Sequence, residues 1–213
     1  MDIFDKGSFL PITNEFKQGG LSALEELTGF QEKFPDLAGG DTDTTVNSIR
    51  DAIIASYLGF PLLNASKHGF DAKTKDGRHY LEIKQCSVSS GRWGGTWNDT
   101  NEEKARAFSD ERLFTAVAIW KGASNLQFIV YGRSCALGEY LLDRVQNRKP
   151  GSRSTQNVPI AKLLGWGFSI IVPPGRDKQD VTKQIVLFQR SLAKILANNP
   201  AVDLHEYKTP IWG

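Results

Sequence analysis

Residues 112–120, RLFTAVAIW, form a near-continuous apolar run of the kind found in a buried strand. A second run, LQFIVYG (126–132), follows after a short Gly-Ala-Ser-Asn turn. The segments around this pair carry helical periodicity. In TVNSIRDAIIASYL (45–58), Val46, Ile49, Ile53 and Tyr57 recur at helical spacing, Ile54 and Leu58 widen the stripe, and Gly59 supplies a stop. Further helices are expected over 21–33, 101–108 (capped by Asp99 or Thr100), 136–147 and 179–197. The last has an apolar stripe of Val181, Ile185, Leu187, Phe188, Leu192 and Ile195. A strand is expected at 167–172, residues 1–20 read as irregular with Gly19-Gly20 as a break, and 87–100 reads as a Gly- and Ser-rich loop. This order predicts an α/β (α+β) fold, a central mixed β-sheet flanked by helices, in one domain spanning residues 1–213.

Composition removes several classes. With 213 residues, a net charge of +2, 12 Phe and 5 Trp, the chain is not predominantly disordered. Two Cys, 86 and 135, exclude a disulfide scaffold and a Cys-rich zinc module. No apolar run approaches the ~20 residues of a membrane-spanning helix. The acidic start MDIFDKGSFL has no secretory h-region, so a reducing cytoplasm is the expected setting.

The chemistry is concentrated in one hairpin. HGFDAKTK and RHYLEIKQC flank Asp76-Gly77, the dipeptide favoured in a two-residue type I′ turn. Lys75 then faces Arg78, and counting outward Asp71 faces Glu82 on one side of the sheet, with Cβ atoms about 4.5–5.5 Å apart. Lys84 shares that side, while Leu81 and Ile83 point the other way into a core. Two opposed carboxylates repel, and a divalent cation removes the conflict. Mg²⁺ takes hard oxygen ligands, usually one or two carboxylates, and leaves room for water and phosphate oxygens. Beside it, the Lys84 ammonium would orient or help deprotonate a water, or stabilise charge on phosphorus.

Asp71 followed by Glu82-Ile83-Lys84 resembles the PD-(D/E)XK nuclease pattern, the core of many type II restriction endonucleases, over roughly residues 45–120. Phe70 stands where the motif has its nominal Pro. The resemblance implies a restriction-endonuclease-like core at about 45–132, with recognition and dimerisation elements at about 133–213. It implies that Asp71 and Glu82 bind Mg²⁺, with the Ile83 carbonyl as an extra ligand, and that Lys84 acts on the attacking water. Many members carry a Glu on the preceding helix. Here that helix offers Asn47 and Asp51, one turn apart, either assisting at the metal or forming a polar face turned to solvent.

The activity implied is Mg²⁺-dependent hydrolysis of double-stranded DNA at a specific short sequence, leaving 5′-phosphates. A symmetric site suggests a homodimer, and a restriction role implies a partner DNA methyltransferase. One alternative is a structure-selective nuclease, a junction resolvase or repair nickase, using the same residues. Another is a non-catalytic DNA-binding domain in which the hairpin is plain surface.

Two segments are candidates for contacting DNA. Arg92, Trp93, Trp97 and Asn98 lie in the loop after the Glu-x-Lys strand, where Arg can pair with guanine and Asn with adenine; the Trp residues alternatively pin the loop to the core. Lys104 follows on the next helix. The second segment contains Arg148, Lys149, Arg153, Ser154, Thr155, Gln156 and Asn157, suited to phosphate and base-edge contacts or else a solvated loop. His68, His79 and His205 show no metal-binding spacing, and no phosphate-binding G-x-x-x-x-G-K-[ST] loop occurs.

Overall fold

A computed structural model describes residue 4 and residues 7–34, 44–64, 69–148 and 155–208. His68, Lys149, Arg153 and Ser154 therefore lie outside the described residues. The first elements are β1 (Phe9–Pro11), α1 (Asn14–Lys33) and α2 (Thr44–Tyr57). α1 begins well before the expected residue 21, because Thr13 caps it by accepting a hydrogen bond from the Phe16 amide at 3.1 Å. Gly19-Gly20 continues the helix instead of breaking it. A Cβ on Gly20 would lie 2.8 Å from Ile49 Cγ2, so this glycine lets α1 pack closely on α2. Leu24, Val46 and Ile53 are buried between the two.

Next come β2 (Leu62–Asn64), β3 (Ala72–Lys73) and β4 (Tyr80–Ser87). The β3–β4 register is the one the hairpin signal predicts, with Ala72 opposite Leu81 and Lys73 opposite Tyr80. The turn itself differs. Thr74 and His79 still pair, leaving a four-residue loop closed by the Gly77 amide donating to the Thr74 carbonyl at 3.0 Å. Only Gly77 takes positive φ, while Asp76 accepts hydrogen bonds from Arg78 N and Thr74 Oγ1. Widening the loop by one residue on each side leaves the facing residues unchanged, so the error in turn type has no effect on register.

β5 (Gly94–Trp97) and α3 (Glu102–Phe108) lead to β6 (Leu113–Lys121), which lies parallel to β4 from Tyr80–Leu113 to Ser87–Trp120. The cap of α3 is Asn101, which accepts from Lys104 N at 2.8 Å, and not Asp99 or Thr100. β7 (Asn125–Arg133), α4 (Cys135–Gln146), β8 (Gln156–Pro159), α5 (Ile160–Gly165) and β9 (Ser169–Val172) follow. The expected helix over 179–197 is divided: α6 (Lys178–Phe188), a 3-10 turn at Arg190–Leu192, and α7 (Ala193–Asn198). Val181 and Ile185 before the break and Leu192 and Leu196 after it join one core, whereas Leu187 is 82% exposed. β10 (Val202–Asp203) ends the order.

Among the described residues, eight strands form one mixed sheet in the order β1-β2-β3-β4-β6-β7-β9-β10. Alternation along β6 separates two apolar layers. Phe114, Ala116, Ala118 and Trp120 meet Ile54 and Ala55 of α2 and Leu58 just after it on one face. Leu113, Val117 and Ile119 meet α3, α4, α5 and α6 on the other. Among the described residues, no helix is long and apolar enough to cross a membrane.

Candidate functional site

On β4 the alternation breaks the apolar rule. Leu81 and Ile83 are buried on the α2 side, as expected, but Glu82 is equally buried at 4% exposed and Lys84 is half-buried. Lys84 Nζ forms an ion pair with Glu82 Oε1 and also approaches the Ile83 carbonyl at 3.3 Å. Asp71 lies just before β3. Its backbone carbonyl accepts from Asn64 N at 2.7 Å, and its side chain reaches across to β4, where Oδ2 accepts from the Ile83 amide at 2.6 Å. The Asp-x(n)-Glu-x-Lys residues are therefore gathered by two devices, the hairpin register and this side-chain-to-backbone bond.

A third carboxylate arrives from α2. Asp51 Oδ1 accepts from Gln85 Nε2 at 2.5 Å, and Gln85 Oε1 accepts from the Trp120 indole N–H at 2.5 Å. Arg50, only 1% exposed, lies 5.0 Å over the Trp120 ring and donates to the carbonyls of Ala123 (2.8 Å) and Gly122 (2.6 Å). Consecutive residues of α2 are thus tied to β4 and to the β6–β7 turn. Asn47 sits one turn earlier on α2, half-buried.

The charges couple. Burial, then the Glu82 carboxylate and then Asp51, push the Asp71 carboxyl well above the usual range, against Lys84 and the Ile83 amide. Burial likewise pushes Asp51 up to about 6, with Glu82 adding to the rise, while the Gln85 hydrogen bond, Lys84 and Arg50 oppose it. For Lys84, burial disfavours the ammonium, but Glu82, Asp71 and Asp51 outweigh it and raise the pKa. The cluster sets three acids, Glu82 buried and Asp51 and Asp71 half-buried, around one cation, with two of the acids pushed towards their neutral form.

Its donor set is hard oxygen, which suits Mg²⁺. The ligand atoms of Asp51, Asp71 and Glu82 do not all come within 4.8 Å of one another, and the Lys84 ammonium is the positive charge nearest them. A surface trio that does meet that spacing, Asp203, His205 and Glu206, is bridged by Lys178 at 3.3 Å from Asp203 and 3.4 Å from Glu206.

The two candidate DNA-contacting segments meet. β5 and β8 pair antiparallel as a separate ribbon, with Thr96 opposite Asn157 and Trp97 opposite Gln156. Thr96 Oγ1 donates to Asn157 Oδ1 at 2.7 Å, Thr155 Oγ1 to Asn98 Oδ1 at 3.2 Å, and Lys104 Nζ to the Asn98 carbonyl at 3.1 Å. Arg92, Asn98, Asn157 and Arg148 are exposed; Lys104, Thr155 and Gln156 are half-buried. Both indoles turn inward. Trp93 stacks on Phe188 with ring centroids 3.8 Å apart, and Trp97 packs edge-on to Phe108. Of the two sequence readings, pinning the ribbon to the core is the one these contacts describe.

Gly95 brings the ribbon close to the acidic cluster. A Cβ there would lie 2.4 Å from the Trp97 ring and 3.2 Å from Lys84 Cγ. Between ribbon and β4 runs a cleft of about 410 Å³, lined by Gln85, Ser87, Arg92, Thr96 and Asn157 among others. Sequence reasoning passed over Gln85, Trp120 and Arg50. The available signals were a Gln directly after the Glu-x-Lys motif and a cation on an otherwise apolar helix stripe.

No protein-family model matches this chain, and no curated protein matches it in sequence.

Proposed function

We propose that this protein is a Mg²⁺-dependent endonuclease of the PD-(D/E)XK kind, hydrolysing double-stranded DNA at a short specific sequence. The observation that carries the reading is Asp71 on the Ile83 amide. It places a carboxylate with a raised pKa beside the buried Glu82–Lys84 ion pair on one strand. Gathering three carboxylates, one buried and two half-buried, around one lysine costs stability, and a cation site is a function that accounts for the arrangement.

In this reading Asp71 and Glu82 hold the cation, Asp51 assists, and the Ile83 carbonyl is a further oxygen at the site. The bound cation supplies Lewis-acid stabilisation of the phosphate and a more acidic water. Beside Glu82, Lys84 would orient or help deprotonate the attacking water, or offset charge at phosphorus. Attack at phosphorus with the P–O3′ bond breaking leaves a 5′-phosphate.

The β5–β8 ribbon stands beside this cluster. The ribbon and its ends offer Arg92, Asn98, Gln156 and Asn157 for base edges and Thr155 for phosphates, with Lys104 of α3 and Arg148 after α4 as further phosphate candidates. Lys149, Arg153 and Ser154 belong to the chain leading into it. A homodimer would cut both strands of a symmetric site, and a restriction role would pair the enzyme with a DNA methyltransferase.

The test is a digest of phage DNA of known sequence, with Mg²⁺ or with EDTA, alongside branched and nicked duplexes. Discrete bands from linear DNA, abolished by EDTA, are expected. Cleavage of branched substrates alone would replace base readout with shape readout. No cleavage of any substrate would overturn the nuclease reading.

A further inference from the structure

The hydrogen bonds of Gln85 fix which way its amide points. An indole N–H only donates, so the atom facing Trp120 is the carbonyl Oε1, and Nε2 is turned to Asp51. The flipped amide would set N–H against N–H and carbonyl against carboxylate. Trp120 is itself immobilised, 2% exposed in the core beneath the Arg50 guanidinium, which is tied to the β6–β7 turn. Asp51 Oδ1 is thereby committed to a neutral donor. Among the described residues, no group donates to the other oxygen, Oδ2, while the charges of Lys84 and Glu82 act on the same carboxyl.

We propose that Gln85, oriented by Trp120, is a positioning residue that fixes the Asp51 carboxylate so that Oδ2 is offered to the divalent cation held by Asp71 and Glu82. Neither Gln85 nor Trp120 touches cation or substrate; both act through Asp51. The inference rests on the metal-dependent reading above. It adds a third carboxylate in a defined orientation, set by a neutral amide and an indole on two neighbouring strands. Outer-sphere partners of this kind typically change metal affinity by about 10–100-fold.

The experiment is calorimetric titration of Mn²⁺ into the full chain at fixed pH. The proteins compared are the unsubstituted one, Gln85→Met, Trp120→Phe, Asp51→Asn, and Gln85→Met combined with Asp51→Asn, each checked for folding by circular dichroism. Met keeps the length and volume of Gln while removing both hydrogen bonds. Phe keeps a ring beneath Arg50 while removing the N–H. Gln85→Met and Trp120→Phe should each weaken Mn²⁺ binding about tenfold, and Asp51→Asn at least as much. In the double variant, Gln85→Met should add less than about twofold, because its only route to the metal is gone.

Unchanged affinity in Gln85→Met, or losses that multiply in the double variant, would overturn the inference while leaving the metal site standing. Absence of Mn²⁺ binding by the unsubstituted protein would overturn the metal-dependent reading and this inference with it. If Gln85→Met does not fold, Trp120→Phe alone and combined with Asp51→Asn carries the same comparison.

Discussion

β4 and β6 are neighbouring parallel strands in continuous register, and they treat polar groups in opposite ways. On β6 the one buried polar side chain is Thr115, which faces Glu82 across the ladder and shares a 2.7 Å hydrogen bond with buried Ser134. Its neighbours on both faces are apolar. On β4, Glu82 is as buried as the core, Lys84 pairs with it, and Asp51 and Asp71 add two more acids. The β6 solution is neutral and closed. The β4 solution gathers three acids around one lysine, an arrangement that costs stability when no cation is bound. β6 is framework, and in the proposed reading β4 bears the carboxylates of the cation site.

Substitutions separate the two strands. The largest effect belongs to β4: Glu82→Gln should lower Mg²⁺-dependent cleavage by at least about a thousandfold, equivalent to roughly 4 kcal/mol, measured under single-turnover conditions. On β6, Ile119→Ala should cost about 2–5 kcal/mol of stability in urea unfolding while leaving cleavage per folded molecule intact. Equal losses of activity for the two would break the distinction.

pH acts on the acids gathered against β4 and not on the buried residues of β6. The folded-state carboxyls of Asp51 and Asp71 lie above the unfolded value near 3.9, so their protonated forms favour folding. For Asp51 this contribution is present below pH ~4 and is lost as pH rises through about 6, and Asp71 acts in the same direction. Without metal, stability should therefore fall between about pH 4 and 6, on the order of 2 kcal/mol, with Mg²⁺ restoring more of it as pH rises. Urea midpoints measured with and without Mg²⁺ check this, and a flat profile would contradict it. The smallest effect is on β6 again. Thr115→Val alone should cost about 1–3 kcal/mol by stranding the Ser134 hydroxyl, and Ser134→Ala added to it should recover most of that.

The same contrast explains what the sequence discloses. β6 is legible because every residue obeys one rule, and the β3–β4 register is legible because Asp76-Gly77 marks the centre of the hairpin whatever the loop length. The ribbon is not. β5 reads GGTW, without β-branched alternation, and its partner lies some 60 residues on, so the pairing of Thr96 with Asn157 left no local trace. The break in the 179–197 segment is hidden because the apolar stripe stays in phase across Gln189. Gly19-Gly20 reads as a breaker, and only packing against Ile49 shows why Gly20 is kept within a helix. Within the site, Asp71, Glu82 and Lys84 were readable as a motif on one strand pair. Gln85 and Trp120 matter through a hydrogen bond between residues 35 positions apart, which no spacing rule anticipates.

The most direct measurement pairs two readouts on one variant, Asp71→Asn: Mg²⁺-dependent cleavage of plasmid DNA and the thermal midpoint without metal. Asn keeps an oxygen for the Ile83 amide while removing a charge that Glu82 and Asp51 repel. Cleavage should fall at least about a thousandfold while the midpoint stays level or rises, the signature of a charge retained for function against stability. Cleavage at the unsubstituted rate, or a lost activity that merely follows a lowered midpoint, would contradict the account.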